Sequence, residues 1–154
     1  MIETDEADEP PSIMLEDRQR VPVDTAGLCR AAARVLASLG VPADAALSIT
    51  LLDPDAMARL KHEALGVRVP TDVLSFPIDD PHAPSPGPTV LGDIVLCPAV
   101  AGRQARALGR SPGDELERLV IHGILHLLGA DHAEPHDELA MAREERRILR
   151  EVRA

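Results

Sequence analysis

Leu116-Glu-Arg-Leu119-Val120-Ile-His122-Gly123-Ile-Leu-His126-Leu127-Leu-Gly129-Ala-Asp131-His132 is the stretch on which the fold turns. Leu116, Leu119, Val120, Gly123 and Leu127 recur at helical spacing, so the segment reads as a core helix with its histidines at one edge of the apolar stripe. Residues four apart share a helix face, which lets His122 and His126 turn their imidazoles to a common ion. Gly129 stands where helices end in a left-handed residue, and a reversal there brings back His132 as a third ligand. Three neutral imidazoles suit zinc, and three protein ligands leave the fourth tetrahedral position open, as in catalytic rather than structural sites. One zinc ion per chain, held this way, points to hydrolysis. His122 is then the metal-held catalytic residue, with no separate general base identifiable.

The two cysteines, Cys29 and Cys97, lie far from this cluster in sequence, which weighs against a closed structural zinc site. Metallopeptidases of the His-Glu-x-x-His type carry a general-base glutamate beside the first histidine, and here that position is Gly123. The spacing matches such a peptidase; the base is missing.

Outward from this helix, Ser111-Pro-Gly-Asp114 resembles a capping box at its start, and Pro135 opens a last, heavily charged helix with His136 on its surface. Upstream, Ser12–Glu16 is a short strand. Asp24 caps a helix carrying Leu28, Ala32, Val35 and Leu39, which Gly40 and Pro42 end. Leu47, Ile49 and Leu51 alternate with polar residues as in a half-buried strand, and Asp53-Pro54 opens a second helix. Thr71–Phe76 and Val90–Leu96 read as further strands, joined by a proline-rich surface loop from Pro77 to Pro88 in which His82 is incidental. Pro98 opens a third helix ending near Gly109. The order of elements predicts one small α+β (mixed α/β) domain, residues 12–154, with a four-stranded sheet packed against helices, preceded by an acidic disordered leader, residues 1–11.

The 154 residues carry a net charge of −10, half of it from Glu3, Asp5, Glu6, Asp8 and Glu9. That balance argues against a generic nucleic-acid binder, so an RNA substrate needs a local basic patch, for which Arg103, Arg106 and Arg110 on one helix are candidates. They read equally well as a solvated helix face. No apolar run approaches 18 residues and the N-terminus is acidic, so neither a membrane span nor a signal peptide is expected, and the location expected is the cytoplasm.

Three segments resemble the YbeY endoribonucleases, bacterial proteins of ribosomal RNA maturation: Pro70-Thr-Asp-Val-Leu-Ser-Phe-Pro77, Leu91-Gly-Asp-Ile-Val-Leu96 and His122–His132. With the order of elements, the resemblance runs from about residue 12 to the C-terminus. It implies zinc on His122, His126 and His132, and a single-strand-specific endoribonuclease acting on the 3′ end of small-subunit (16S) ribosomal RNA. Small-subunit ribosomal proteins and an assembly GTPase are the implied partners. Asp131 can orient a histidine from behind or cap the turn. Thr71 and Asp72 can cap a turn by the implied substrate cleft, while Ser75 and Phe76 contribute to the core or to the cleft floor. Two positions depart from the family pattern: Leu65 replaces an arginine ascribed to substrate contact, and Ala130 replaces a tyrosine. Lys61 and Arg68 are the nearest bases that can take over the arginine's role, and each is equally readable as a surface charge. Two other functions fit the histidines: a metal-dependent hydrolase of a peptide or small molecule, and a ribosome-assembly factor whose metal is structural.

Overall fold

The computed structural model describes residues 11–80, 87–129 and 135–153. The acidic residues 1–10 fall outside the described part, as do His82, Ala130, Asp131, His132 and the side chain of His136; Pro11, the first residue described, is buried.

Nine elements follow one another: β1 (Ser12–Arg18), α1 (Thr25–Ser38), β2 (Ala46–Leu52), α2 (Pro54–Leu65), β3 (Val73–Pro77), β4 (Val90–Leu96), α3 (Pro98–Leu108), α4 (Pro112–Leu127) and α5 (Pro135–Arg153). This is the α+β domain with a four-stranded sheet that the sequence predicts. The side chains expected to start helices do so. Asp24 Oδ1 accepts the Gly27 amide at 3.0 Å, Asp53 Oδ1 that of Ala56 at 2.8 Å, and Ser111 Oγ that of Asp114 at 3.1 Å. β3 begins two residues later than expected, because Asp72 turns its carboxylate onto the Val73 amide, 2.8 Å away, instead of extending the ladder.

The strands lie in the order β1-β2-β4-β3, with β1, β2 and β4 parallel and β3 antiparallel to β4 at one edge. Alternate side chains separate the two faces. Leu47, Ile49 and Leu51 of β2 and Ile94 and Leu96 of β4 join the main core with α1, α4 and α5. On the opposite face, Leu74, Phe76, Val95 and Cys97 pack with Met57 and Leu60 of α2 in a second cluster.

Helix α4 is buried on more sides than its five-residue stripe suggests, for Ile121, Ile124 and Leu125 are buried as well. It contacts α1, α3, α5, β3 and β4 together. Its approach to the sheet is set at Gly123, where a Cβ atom would stand 2.9 Å from Ile94 Cδ1 and 3.1 Å from both Cγ1 and Cγ2. The missing side chain lets the helix settle onto β4. Gly92 plays the matching part on the strand: it holds φ at 149°, and a Cβ there would meet the Phe76 carbonyl oxygen at 2.3 Å and Leu127 Cδ2 at 2.9 Å.

Gly123→Ala is accordingly expected to destabilise the fold. Overpacking against the buried Ile94 costs about 1–3 kcal/mol, from which the helix-propensity gain of up to about 1 kcal/mol is subtracted. Urea unfolding that shows the alanine variant more stable than the parent would contradict this packing.

Candidate metal centre

Helix α4 presents one polar line along its length, Glu115, Arg118, His122 and His126, spaced so that each lies a turn beyond the last. His122 and His126 are half-buried, with their Nε2 atoms 3.1 Å apart and their rings edge to face at 4.6 Å between centroids. The other ring nitrogen of His122, Nδ1, lies 2.5 Å from Glu145 Oε1 on α5. A carboxylate accepts only from a protonated nitrogen, so in its neutral form His122 carries its hydrogen on Nδ1 and turns the Nε2 lone pair toward His126.

This arrangement fits a tetrahedral ion. Two imidazole nitrogens at about 2.0–2.1 Å from zinc stand about 3.3 Å apart at the tetrahedral angle, close to the separation found. Among the described residues no group of three histidine, cysteine or acidic side chains gathers as a full ligand set. The helix does end where expected: α4 stops at Leu127, the Gly129 amide bonds back to the His126 carbonyl at 3.0 Å, and Gly129 takes a φ of 98°.

Behind the histidines lie the two buried charged side chains of the described residues, Glu115 and Glu145. Arg118 joins them. Its Nη2 is 2.5 Å from Glu115 Oε1 and its Nη1 is 3.6 Å from Glu145 Oε2, while Arg110 reaches Glu115 Oε2 at 3.1 Å. Burial pushes the Glu115 carboxyl up, but hydrogen bonds from Arg118 and then Arg110 outweigh it and hold the group below the usual carboxylate range. Arg118 is raised in turn, first by its bond to Glu115 and further by the charges of Glu145 and Asp72.

Strand β3 runs alongside this helix. Asp72, just before it, is within the electrostatic reach of Arg118, and Gly92, opposite Pro77 at its far end, meets Leu127. Ser75 therefore falls midway along α4. It shares a strand face with Val73, which packs into the core that contains α4, and it pairs with Ile94, on which Gly123 rests. Thr71 donates its hydroxyl to Asp72 Oδ1 at 3.4 Å, closing the turn that leads into the strand. The outer edge of β3 is poor in donors. The Asp72 carbonyl accepts the amide of Cys97, just past β4, and the Ile78 amide donates to Leu91 of β4, so by antiparallel alternation residues 73, 75 and 77 turn their backbone groups outward. The Val73 amide is taken by Asp72 and Pro77 has none, which leaves the Ser75 amide as the outward N–H of the strand.

Other sequence candidates fall on other elements. Lys61 belongs to α2, whose apolar side chains pack on the opposite sheet face, and Arg68 is exposed between α2 and β3. Phe76 faces α2 and belongs to the second core cluster. Arg103 and Arg106 are exposed on α3, but Arg110 lies beyond its end, past the left-handed Gly109, with its guanidinium on Glu115. Glu145 is absent from the sequence reading. A signal for it existed: it falls in line with Met141, Ile148 and Val152 on α5, a carboxylate in an otherwise apolar stripe.

The pH dependence of Glu115 follows from its lowered pKa. Its ion pairs contribute stability that is complete above the ordinary glutamate pKa of about 4.3 and is lost as pH falls through the lower folded value. Glu115→Gln is expected to lose about 2 kcal/mol at pH 7, the scale of hydrogen bonds to charged groups. That difference shrinks as unfolding is measured at successively lower pH below 4; a gap independent of pH, or one that widens in acid, would contradict the assignment.

The chain is similar to known proteins over most of its length. The family model described as Endoribonuclease YbeY matches residues 14–153. Proteins named Endoribonuclease YbeY from Mycobacterium tuberculosis (strain H37Rv) and Mycobacterium bovis are 47% identical over 146 residues, which is 91% of this chain and 82% of theirs. One from Mycobacterium sp. (strain KMS) is 44% identical over the same length. The fold is similar to the solution structure of TM1509 from Thermotoga maritima, with a TM-score of 0.62 and 26% identity over 91% of this chain and 88% of that one.

Proposed function

The chain belongs to the YbeY endoribonuclease family, and from that premise we propose that it cuts single-stranded RNA in 16S ribosomal RNA 3′-end maturation, using one zinc ion on His122, His126 and His132. The observation that carries the metal reading is the His122–His126 pair, Nε2 to Nε2 at 3.1 Å, with a carboxylate on the opposite nitrogen of His122. Bound there, zinc supplies a Lewis acid for the phosphodiester group and acidifies water to a pKa of about 7.

The chain's own residues do the rest. His122 and His126 fix the ion's place on a helix that is locked to the sheet. Gly129 turns the chain so that Asp131 and His132 can follow. Ser75, halfway along the flanking strand, offers an outward amide and a hydroxyl to the acceptor oxygens of an RNA strand drawn past the histidines, with Thr71 and Asp72 shaping the turn before it. No aromatic side chain joins them, for the chain's only one, Phe76, faces α2. Backbone contacts, rather than base stacking, then dominate the grip on RNA, with weak sequence preference and strong salt dependence. Lys61 on α2 and Arg68, exposed between α2 and β3, are the bases proposed to take over the role of the arginine replaced by Leu65. Small-subunit ribosomal proteins and an assembly GTPase belong to the proposal by family membership, as does a cytoplasmic location; among the described residues no helix is long and apolar enough to cross a membrane.

A peptide substrate fits less well. A glutamate at position 123 would have to grow from a Cβ already against Ile94. An extended peptide adding to the β3 edge would find one amide donor where a ladder needs alternate ones.

The test is cleavage of a single-stranded RNA spanning the 3′ end of the small-subunit precursor by zinc-loaded protein, chelated protein and His126→Ala. Cleavage is expected from the first alone, with zinc restoring the second. If all three are inactive yet hold the RNA or the small subunit equally well, the metal is structural and the protein is an assembly factor.

A further inference from the structure

We propose that Glu145, far from the histidine motif in sequence, is the positioning residue of the metal centre: it fixes the tautomer and the ring orientation of His122. The inference rests on the reading of His122 as a metal ligand. Glu145 is 7% exposed, and its Oε1 lies 2.5 Å from Nδ1 of His122, the nitrogen that faces away from His126. An imidazole free to choose carries its hydrogen on either nitrogen and can rotate, and in one tautomer Nε2 has no lone pair to offer an ion. A buried carboxylate on Nδ1 removes both freedoms and makes Nε2 more electron-rich, as acidic residues behind ligating histidines do elsewhere.

Glu145 is itself held. Its second oxygen faces Arg118 Nη1 at 3.6 Å, and Arg118 is clamped by Glu115, which is fully buried and also bound to Arg110. A cavity of about 210 Å³ between α4 and α5, lined by Arg110, Arg118, Glu145 and Arg146 among others, adjoins this chain of contacts. The carboxylate therefore sits between a guanidinium and an imidazole, at a place where only a charged or strongly accepting side chain suits both. The contact also ties α5 to α4, and these two helices bracket the segment that contains His132.

Zinc affinity measured by competition with a chromophoric chelator, together with ¹⁵N NMR of the His122 ring in metal-free protein, tests the assignment. In the parent, the hydrogen is expected on Nδ1. Glu145→Ala should weaken zinc binding about ten- to hundredfold and shift the His122 ring toward the Nε2–H form, and Glu145→Gln, which preserves shape and one acceptor oxygen, should fall in between. Unchanged affinity and an unchanged tautomer in both variants would overturn the proposal. A purely structural role would lower thermal stability and leave the tautomer and the affinity of the folded protein alone. If instead the parent fails to bind zinc, or His126→Ala binds it equally well, the metal reading fails, and the tautomer of the metal-free ring still decides the role of Glu145.

Discussion

The close approach of α4 to β4, made possible at Gly123, is the constraint on which the rest of the domain depends. A side chain of any size at that position would lift the helix off Ile94 and carry His122, its immediate neighbour, and His126, a turn further on, away from the flanking strand β3. Gly92 makes the corresponding allowance on the strand, where the Phe76 carbonyl and Leu127 close in on its Cα. Two glycines, one on the helix and one on the sheet, thus fix the distance between the polar line of α4 and the edge strand. The position that supplies a general base in related-looking peptidase motifs is here consumed by packing, so hydrolysis cannot recruit a carboxylate from that turn.

Electrostatics sets the second constraint. Glu115 and Glu145 are buried, and an ionised carboxylate out of water costs several kcal/mol unless it is paired and hydrogen-bonded. Arg118 partners both, Arg110 completes Glu115, and the imidazole of His122 completes Glu145. Such pairs are weak sources of net stability, since desolvation offsets most of the attraction. Their consequence is geometric: each group has one arrangement that satisfies its partners, and the histidine at the end of the line inherits that rigidity. An acidic chain that handles a polyanion also has reason to keep its carboxylates engaged near the site, because each paired acid is one less repulsive charge facing phosphate.

Local chemistry made most of the fold legible in the sequence. Asp24, Asp53 and Ser111 announce helix starts because a short acceptor side chain satisfies amides that no helix turn can, and Gly129 announces an end because only glycine takes its backbone angles without steric cost. The alternation of Leu47, Ile49 and Leu51 marks one buried face of a strand, and the four-residue interval between His122 and His126 places both rings on one helix face whatever surrounds them. These are properties of neighbours along the chain. Arg110 shows the limit of such reasoning: its spacing after Arg103 and Arg106 suggests a shared helix face, yet Gly109 ends the helix and Glu115 captures the guanidinium.

The sequence by itself determined the nine elements, the core helix and the pairing of its histidines, since each follows from periodicity, capping or backbone sterics within a few residues. Tertiary structure alone decided the order β1-β2-β4-β3, the burial of α4 on nearly every side, and the partner of His122. Glu145 is 23 residues from His122, and although its line with Met141, Ile148 and Val152 sets it apart from Glu144 beside it, that local pattern does not name its partner. Packing supplies it: α5 lies against α4 with Met141 and Ile148 inward, so that the carboxylate between them must find a partner inside the protein and finds the imidazole.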